Sequence, residues 1–321
     1  QGLEGWKIQP ISEANAHPQF GHGLGVGDVD GDGRQDVLCK DGWFRQPEEL
    51  GGPWPFTAVP LGDYGGADMY VDDVDGDGDG DIITSLAAHD FGLAWFEQQV
   101  DGEQVTWVKH LIMGATPEEN RYGVVFSELH SVALADIDGD GLRDIVTGKT
   151  YWSHHRQSPM WDAGAVVYWF RHVIGPDGAV DWIPIKAEGD SGIGRQLVAK
   201  DIDGDGLDDL LVGGMKGASV LRHVRDTVDE VTYHAMMPRP RRELADGLTP
   251  EQAVAAIDVP DGFRVTLAAA EPQVHQPIAL TIDGRGRLWI AEAHTYPIRA
   301  PEGEGKDRII ILEDQDRDGS F

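Results

Sequence analysis

The sequence predicts an all-β fold, a β-propeller of four-stranded antiparallel blades with calcium-type D-x-D-x-D-G loops. Two observations predict it. One motif, D-x-D-G-D-G-x-x-D, occurs four times, with first aspartates 45, 63 and 65 residues apart, about one propeller blade each. Short apolar, mostly β-branched runs follow each copy, and aromatic-rich runs follow those, so the motifs join strands rather than helices.

The first element of each repeat is the loop itself. The copies are Asp28-Asp30-Asp32-Asp36, Asp73-Asp75-Asp77-Asp81, Asp136-Asp138-Asp140-Asp144 and Asp201-Asp203-Asp205-Asp209. Aspartates at positions 1, 3 and 5 of a tight turn point inward, the glycine at position 6 permits the bend, and the aspartate at position 9 completes an oxygen cage. Hard oxygen donors suit Ca²⁺, and about four ions are expected. Four close carboxylates without a cation would repel one another. The second element is the apolar strand after each loop: Val37-Leu38, Ile82-Ile83-Thr84, Ile145-Val146-Thr147 and Leu210-Leu211-Val212. Aromatic third strands follow, such as Leu93 to Phe96 and Val166 to Phe170. A fourth strand follows in several units, such as Phe56 to Val59 and Val105 to Val108.

Composition narrows the partners. The 321 residues carry a formal charge of −30, which would repel nucleic-acid phosphate. Of 38 aspartates, sixteen sit in the four loops, so the charge originates in turns rather than in acidic helices. No run of apolar residues is long enough to form a membrane-spanning helix. The single cysteine, Cys39, excludes an internal disulfide framework, a CxxC zinc site and c-type haem attachment. The chain starts at Gln1 without a signal-like apolar segment, which predicts a processed or excised form. Calcium sites of the extracellular type bind in the roughly 10⁻⁴ to 10⁻³ M range, which predicts a secreted or periplasmic location.

The runs FGHGLGVGDVDGDGRQDVL (Phe20 to Leu38) and LHSVALADIDGDGLRDIV (Leu129 to Val146) resemble FG-GAP or VCBS repeats, over about residues 15–225. The domain organisation expected is a repeat propeller over 1–232 with four recognisable blades, a linker over 233–260, and a second unit over 261–321. Pro238, Pro240 and the cluster Arg239, Arg241 and Arg242 mark the linker. Thr249 reads as the N-cap of a short helix, with Pro250 at its first position. The segment Asp261 to Pro297 resembles the opening of the sugar-dehydrogenase-like propeller that follows FG-GAP repeats in large planctomycete proteins, the membrane-bound dehydrogenase domain. The 61 residues from Asp261 onward are too few to close such a ring, so this unit is expected to add a blade or to pair through its open edge. Asp314, Asp316, Asp318 and Gly319 begin a fifth loop that stops before its ninth position, which predicts that the sequence is cut short.

The face opposite the acidic loops is where chemistry is expected. Six residues before each first aspartate stand His22, Ala67, His130 and Arg195, which places two histidines and an arginine at one mouth. The loops between second and third strands should reach the same mouth with Lys40, His89, Tyr151, Trp152, His154, His155 and Lys216. Such a mouth reverses the sign of the charge locally and would attract a hydroxyl-rich or anionic small molecule, with aromatic rings to stack on a sugar. An unspecialised polar channel and an exposed histidine loop are the plain alternatives. The run LHSVALADIDGDG is also similar to the propeller of the fungal aldos-2-ulose dehydratase, with a histidine matching His130. That resemblance implies that His22 and His130 hold a metal such as Zn²⁺, or act as a base, with Arg195 beside the oxygen that gains charge. The primary expectation is a carbohydrate-binding calcium propeller within a larger sugar-processing protein. A lyase or dehydratase acting on a keto-sugar or uronate through His22, His130 and Arg195, and an adhesion-type scaffold, are the alternatives. A third protein ligand to a metal shared by His22 and His130 would favour the enzyme, and a mouth plugged by Trp152 or by the interdomain helix would favour the scaffold.

Overall fold

Four successive antiparallel strand units carry the four motifs. The computed structural model describes all residues except 1–4, 6–7, 14–20, 63, 103, 153–155, 241–248, 256, 261, 295–299 and 316–321. The first unit is β1 (Leu24–Gly27), β2 (Asp36–Cys39), β3 (Gly42–Phe44) and β4 (Phe56–Ala58). The second is β5 (Asp68–Asp72), β6 (Asp81–Ser85), β7 (Leu93–Asp101) and β8 (Gln104–Met113). The third is β9 (Val132–Ala135), β10 (Asp144–Lys149), β11 (Val166–Ile174) and β12 (Val180–Glu188). The fourth, β13 (Gln196–Lys200), β14 (Asp209–Gly214) and β15 (Gly217–Leu221), has three strands among the described residues and is followed by helix α1 (Glu230–Met236). Every motif therefore sits between the first and second strand of its unit.

The first strands stand side by side. β1 pairs in parallel with β5 through Leu24↔Asp68 and Gly25↔Met69, which merges the first two units into one eight-stranded sheet. This differs from the separate blades expected, and Gly25 supplies the reason. A Cβ at Gly25 would collide with the Met69 backbone, so only glycine lets the two strands come this close. β5 meets β9 instead through side chains: the Tyr70 hydroxyl donates to the Val132 carbonyl at 2.9 Å, and Asp68 accepts from the Ser131 hydroxyl at 3.0 Å. β9 in turn lies against β13.

Apolar cores fill the spaces between neighbouring units. Successive strand residues point to opposite faces, so the buried second strands β6 and β10 serve two cores each. Ile82 packs with Leu38, Leu61 and Met69, while its neighbour Ile83 packs with Trp95, Leu129 and Phe170. Ile145 belongs to that second core, and Val146 joins Val167, Ile193 and Val212 in a third. Full burial of such a side chain contributes about 1.5–3 kcal/mol.

The chain divides into a unit Gln1–Arg241 and a unit Arg242–Phe321. The second holds α2 (Pro250–Ala255) and an antiparallel sheet of β16 (Pro277–Ile282), β17 (Leu288–Glu292) and β18 (Arg308–Leu312). Thr249 caps α2 as its sequence predicts: its hydroxyl accepts from the Gln252 N–H at 3.3 Å, and the Gln252 side chain accepts from the Thr249 N–H at 2.8 Å. Asp316, Asp318 and Gly319 of the fifth motif lie outside the described residues. No helix among the described residues is long and apolar enough to cross a membrane.

Candidate metal centres

Each motif folds as one tight loop with the same internal bonding. The first aspartate accepts loop N–H groups, as in Gly33 N to Asp28 Oδ2 at 2.8 Å, Gly78 N to Asp73 Oδ1 at 3.2 Å, Gly141 N to Asp136 Oδ2 at 3.0 Å and Gly206 N to Asp201 Oδ2 at 3.0 Å. The ninth aspartate is buried and acts as a staple. One oxygen of Asp36, Asp81, Asp144 and Asp209 accepts the N–H of the loop's second residue, and the other accepts an N–H just past or within the third strand. Those second donors are Gln46, Gln98, His172 and His223, at 2.8 to 2.9 Å. Burial raises Asp36, and pushes Asp81 and Asp144 up to about 7, against the pull of these N–H groups. Asp209 is held below its ordinary value by the His223 N–H and the Arg222 guanidinium.

Carboxylate oxygens within 4.8 Å of one another come from Asp28, Asp30 and Asp32, from Asp73, Asp75 and Asp77, from Asp136, Asp138 and Asp144, and from Asp201, Asp203 and Asp205. Only the third loop brings its ninth aspartate into this group. Asp140 instead accepts from the Leu142 N–H and pairs with Arg171 at 3.4 Å. The expected mutual repulsion is met from within in three loops. Arg45 pairs with Asp30 at 2.6 Å and Asp32 at 3.1 Å, Arg171 also pairs with Asp138, and Arg222 pairs with Asp203 at 3.0 Å. Each arginine immediately precedes the residue whose N–H staples the ninth aspartate. In the second unit that position is Glu97, and the loop carries a further acid, Asp79. Burial and the charges of Asp77 and Asp75 push Asp79 up to about 6. The second loop thus concentrates negative charge without an arginine, and its oxygen donors fit a hard cation best.

Three histidines come together in the structure. One ring nitrogen from each of His22, His89 and His130 lies within 4.8 Å of the other two, and the Nε2 atoms of His22 and His89 are 3.2 Å apart. Ring centroids are 4.7 to 5.9 Å apart. Two of the three stand where counting back from the loops puts them. The second unit has the small, buried Ala67 at the equivalent place and supplies His89 from its β6–β7 loop instead. Gly65 ties these segments together: it has φ +80°, a Cβ there would strike the His22 carbonyl, and its own carbonyl accepts the Ala88 N–H at 2.9 Å. Three imidazoles fit a borderline or soft divalent ion such as Zn²⁺ and not Ca²⁺. Tetrahedral ligands at Zn–N distances lie about 3.4 Å from one another, close to the His22–His89 separation.

Glu128 lies behind the cluster, and sequence reasoning missed it. Its side chain is fully buried, with Oε2 3.6 Å from His130 Nδ1 and 3.8 Å from His89 Nδ1. Its carbonyl is 3.2 Å from His130 Nδ1. Beyond it, Lys149 is also buried, and its ammonium donates to the Thr150 carbonyl at 3.0 Å. Burial lowers the Lys149 pKa, and the Glu128 charge opposes that shift.

Arg195 does not join the histidines but lines a cleft of about 420 Å³ with His130, Thr150, Trp152 and Met215. Arg195 makes no ion pair among the described residues. Trp152 is half exposed and leans toward Tyr151, with ring centroids 5.5 Å apart. Lys216 sits 4.4 Å over the Tyr151 ring and pairs with Asp190, and Lys40 pairs with Asp41 at 2.6 Å. Both lysines are thus neutralised locally. His154 and His155 lie outside the described residues.

Comparison with known proteins adds two local matches. Residues 249–321 match a domain of unknown function, DUF7133, which assigns no chemistry to the second unit. No curated protein matches the chain. Residues 129–169, which hold His130, the third acidic loop and the run from Tyr151 to Trp169, match the FG-GAP repeat.

Proposed function

We propose that this chain is a calcium-stabilised propeller-type domain whose mouth holds one divalent transition metal and binds a carbohydrate through its oxygens. The observation that carries the reading is the convergence of His22, His89 and His130 from three different repeats. His22, His89 and His130 would hold the metal, which supplies Lewis-acid polarisation of a ligand oxygen when bound. Arg195 binds an anionic or carbonyl oxygen from the side of the cleft, and Trp152 offers an aromatic face to a sugar ring. Calcium would occupy the acidic loops, the second loop first, and loops of this type support a location outside the cytoplasm.

A second reading, a carbon–oxygen lyase or dehydratase for a keto-sugar or uronate, is favoured by two observations, the first being that His89 joins His22 and His130 as a third candidate ligand. Second, Arg195 and His130 line the same cleft, so a cation stands ready for an oxygen that gains charge during elimination. Calorimetric titration of a panel of neutral sugars, keto-sugars and uronates into zinc-loaded protein tests both readings. Binding that is lost in Arg195→Ala supports the first, and release of an unsaturated product supports the second. No heat from any sugar would refute the carbohydrate assignment.

A further inference from the structure

We propose that Glu128 is the positioning residue of the histidine cluster, holding the Nδ1 sides of His89 and His130 so that both rings turn Nε2 toward His22. The inference rests on the metal reading above and concerns a residue that the acidic-loop and mouth patterns do not single out. Glu128 combines two unusual properties. It is fully buried, and its backbone has φ +67°, a left-handed region that L side chains rarely adopt. That bend lets one residue reach two histidines by two different groups. The carbonyl accepts the His130 N–H at 2.9 Å and faces His130 Nδ1 at 3.2 Å. The carboxylate stands on the Nδ1 side of His89 as well as His130, at 3.8 and 3.6 Å, an electrostatic contact rather than a hydrogen bond.

The backbone links the same residues a second time. The Glu128 N–H donates at 3.0 Å to the carbonyl of Asp90, the neighbour of His89. The strained residue therefore fastens the His89 loop to the segment that carries His130 into β9. Acceptors on the Nδ1 side favour the Nδ1–H tautomer, which leaves the Nε2 lone pair of each ring for the cluster. Glu128 is not among the clustered ligand atoms, so it acts through the histidines. Lys149, buried nearby with its charge supported by Glu128, supplies the positive partner that a buried carboxylate requires.

The test compares wild type, Glu128→Gln and Glu128→Gly by Co²⁺ titration, read by visible absorption, and by two-bond ¹⁵N–¹H NMR of the metal-free imidazoles. Glutamine keeps volume and backbone but removes the carboxylate, whereas glycine accepts the positive φ and guards against a folding failure. Outer-shell partners of metal-bound histidine are worth about 10–100-fold in metal affinity, and that loss is expected in both variants. The NMR should show Nδ1–H tautomers for His89 and His130 in wild type and a mixture at His89 in the variants. Unchanged Co²⁺ affinity and unchanged tautomers in both variants would overturn the role of Glu128 while leaving the metal site standing. If wild type binds no Co²⁺, the metal reading fails; tautomers that still shift in the variants would then support Glu128 as the orienting group of a metal-free cluster.

Discussion

The Nε2 atoms of His22 and His89 lie 3.2 Å apart although 67 residues separate them in the chain. Two imidazole nitrogens at that distance share either one proton or one cation, since two protonated rings would repel. His130 arrives from a third repeat, and its side chain is 8% exposed where that of His89 is 38% exposed. The cluster therefore has a closed side, against Glu128, and an open side toward solvent.

The acidic loops should respond to calcium unequally. Chelator should lower the melting temperature, and millimolar Ca²⁺ should restore it. Asp77→Asn should remove the strongest site, because the second loop has Glu97 where the others have an arginine. Arg171→Ala and Arg222→Ala should raise calcium affinity at the third and fourth loops by about tenfold, the lower end of a charge effect at a partly exposed site. Calcium titration of each variant checks the order. Equal affinities in all four loops would contradict it.

The staple aspartates should carry stability that calcium does not restore. Asp36, which lies outside its loop's group of clustered oxygens, accepts the Val29 and Gln46 N–H groups, and an asparagine can keep only one of these bonds. Asp36→Asn should cost about 1.5–3 kcal/mol, the scale of one hydrogen bond to a charged group. Denaturant unfolding at saturating Ca²⁺ measures it. A loss that disappears with added Ca²⁺ would show that Asp36 acts as a ligand instead.

His172 gives a pH signature. It is buried and stacked on Trp182, with centroids 4.4 Å apart, and burial holds its pKa below the ordinary 6.5. The unfolded chain then takes up a proton that the folded chain resists. This contribution to stability is complete above pH 6.5 and is lost as pH falls below it. His172→Phe should flatten the fall in stability on acidification from pH 7 relative to wild type. Parallel curves for the two proteins would count against the assignment.

Much of this architecture can be read from the chain, for identifiable reasons. The loops announce themselves because carboxylates at fixed short spacing are a local pattern. The Thr249 cap and the strands after each loop are local too. His22 and His130 follow from counting because the first strands are nearly equal in length. His89 emerges only as one loop residue among several, since Ala67 breaks the pattern in the second repeat. Arg45, Arg171 and Arg222 stand 9, 27 and 13 residues after their staple aspartates, so variable loops hide a spatial repeat. Glu128 gives only one sequence hint, its place two residues before His130. Its role arises from a positive φ, which sequence does not display for glutamate.

The central claim is that three histidines from three repeats form one metal site. Metal analysis of Zn²⁺-dialysed protein, alongside His22→Ala, His89→Ala and His130→Ala, tests it most directly. With Ca²⁺ present to occupy the acidic loops, wild type should retain about one zinc per chain. Each substitution should reduce this to near zero at equal calcium-dependent melting temperature. Retention of zinc by all three variants, or none by wild type, would contradict the account.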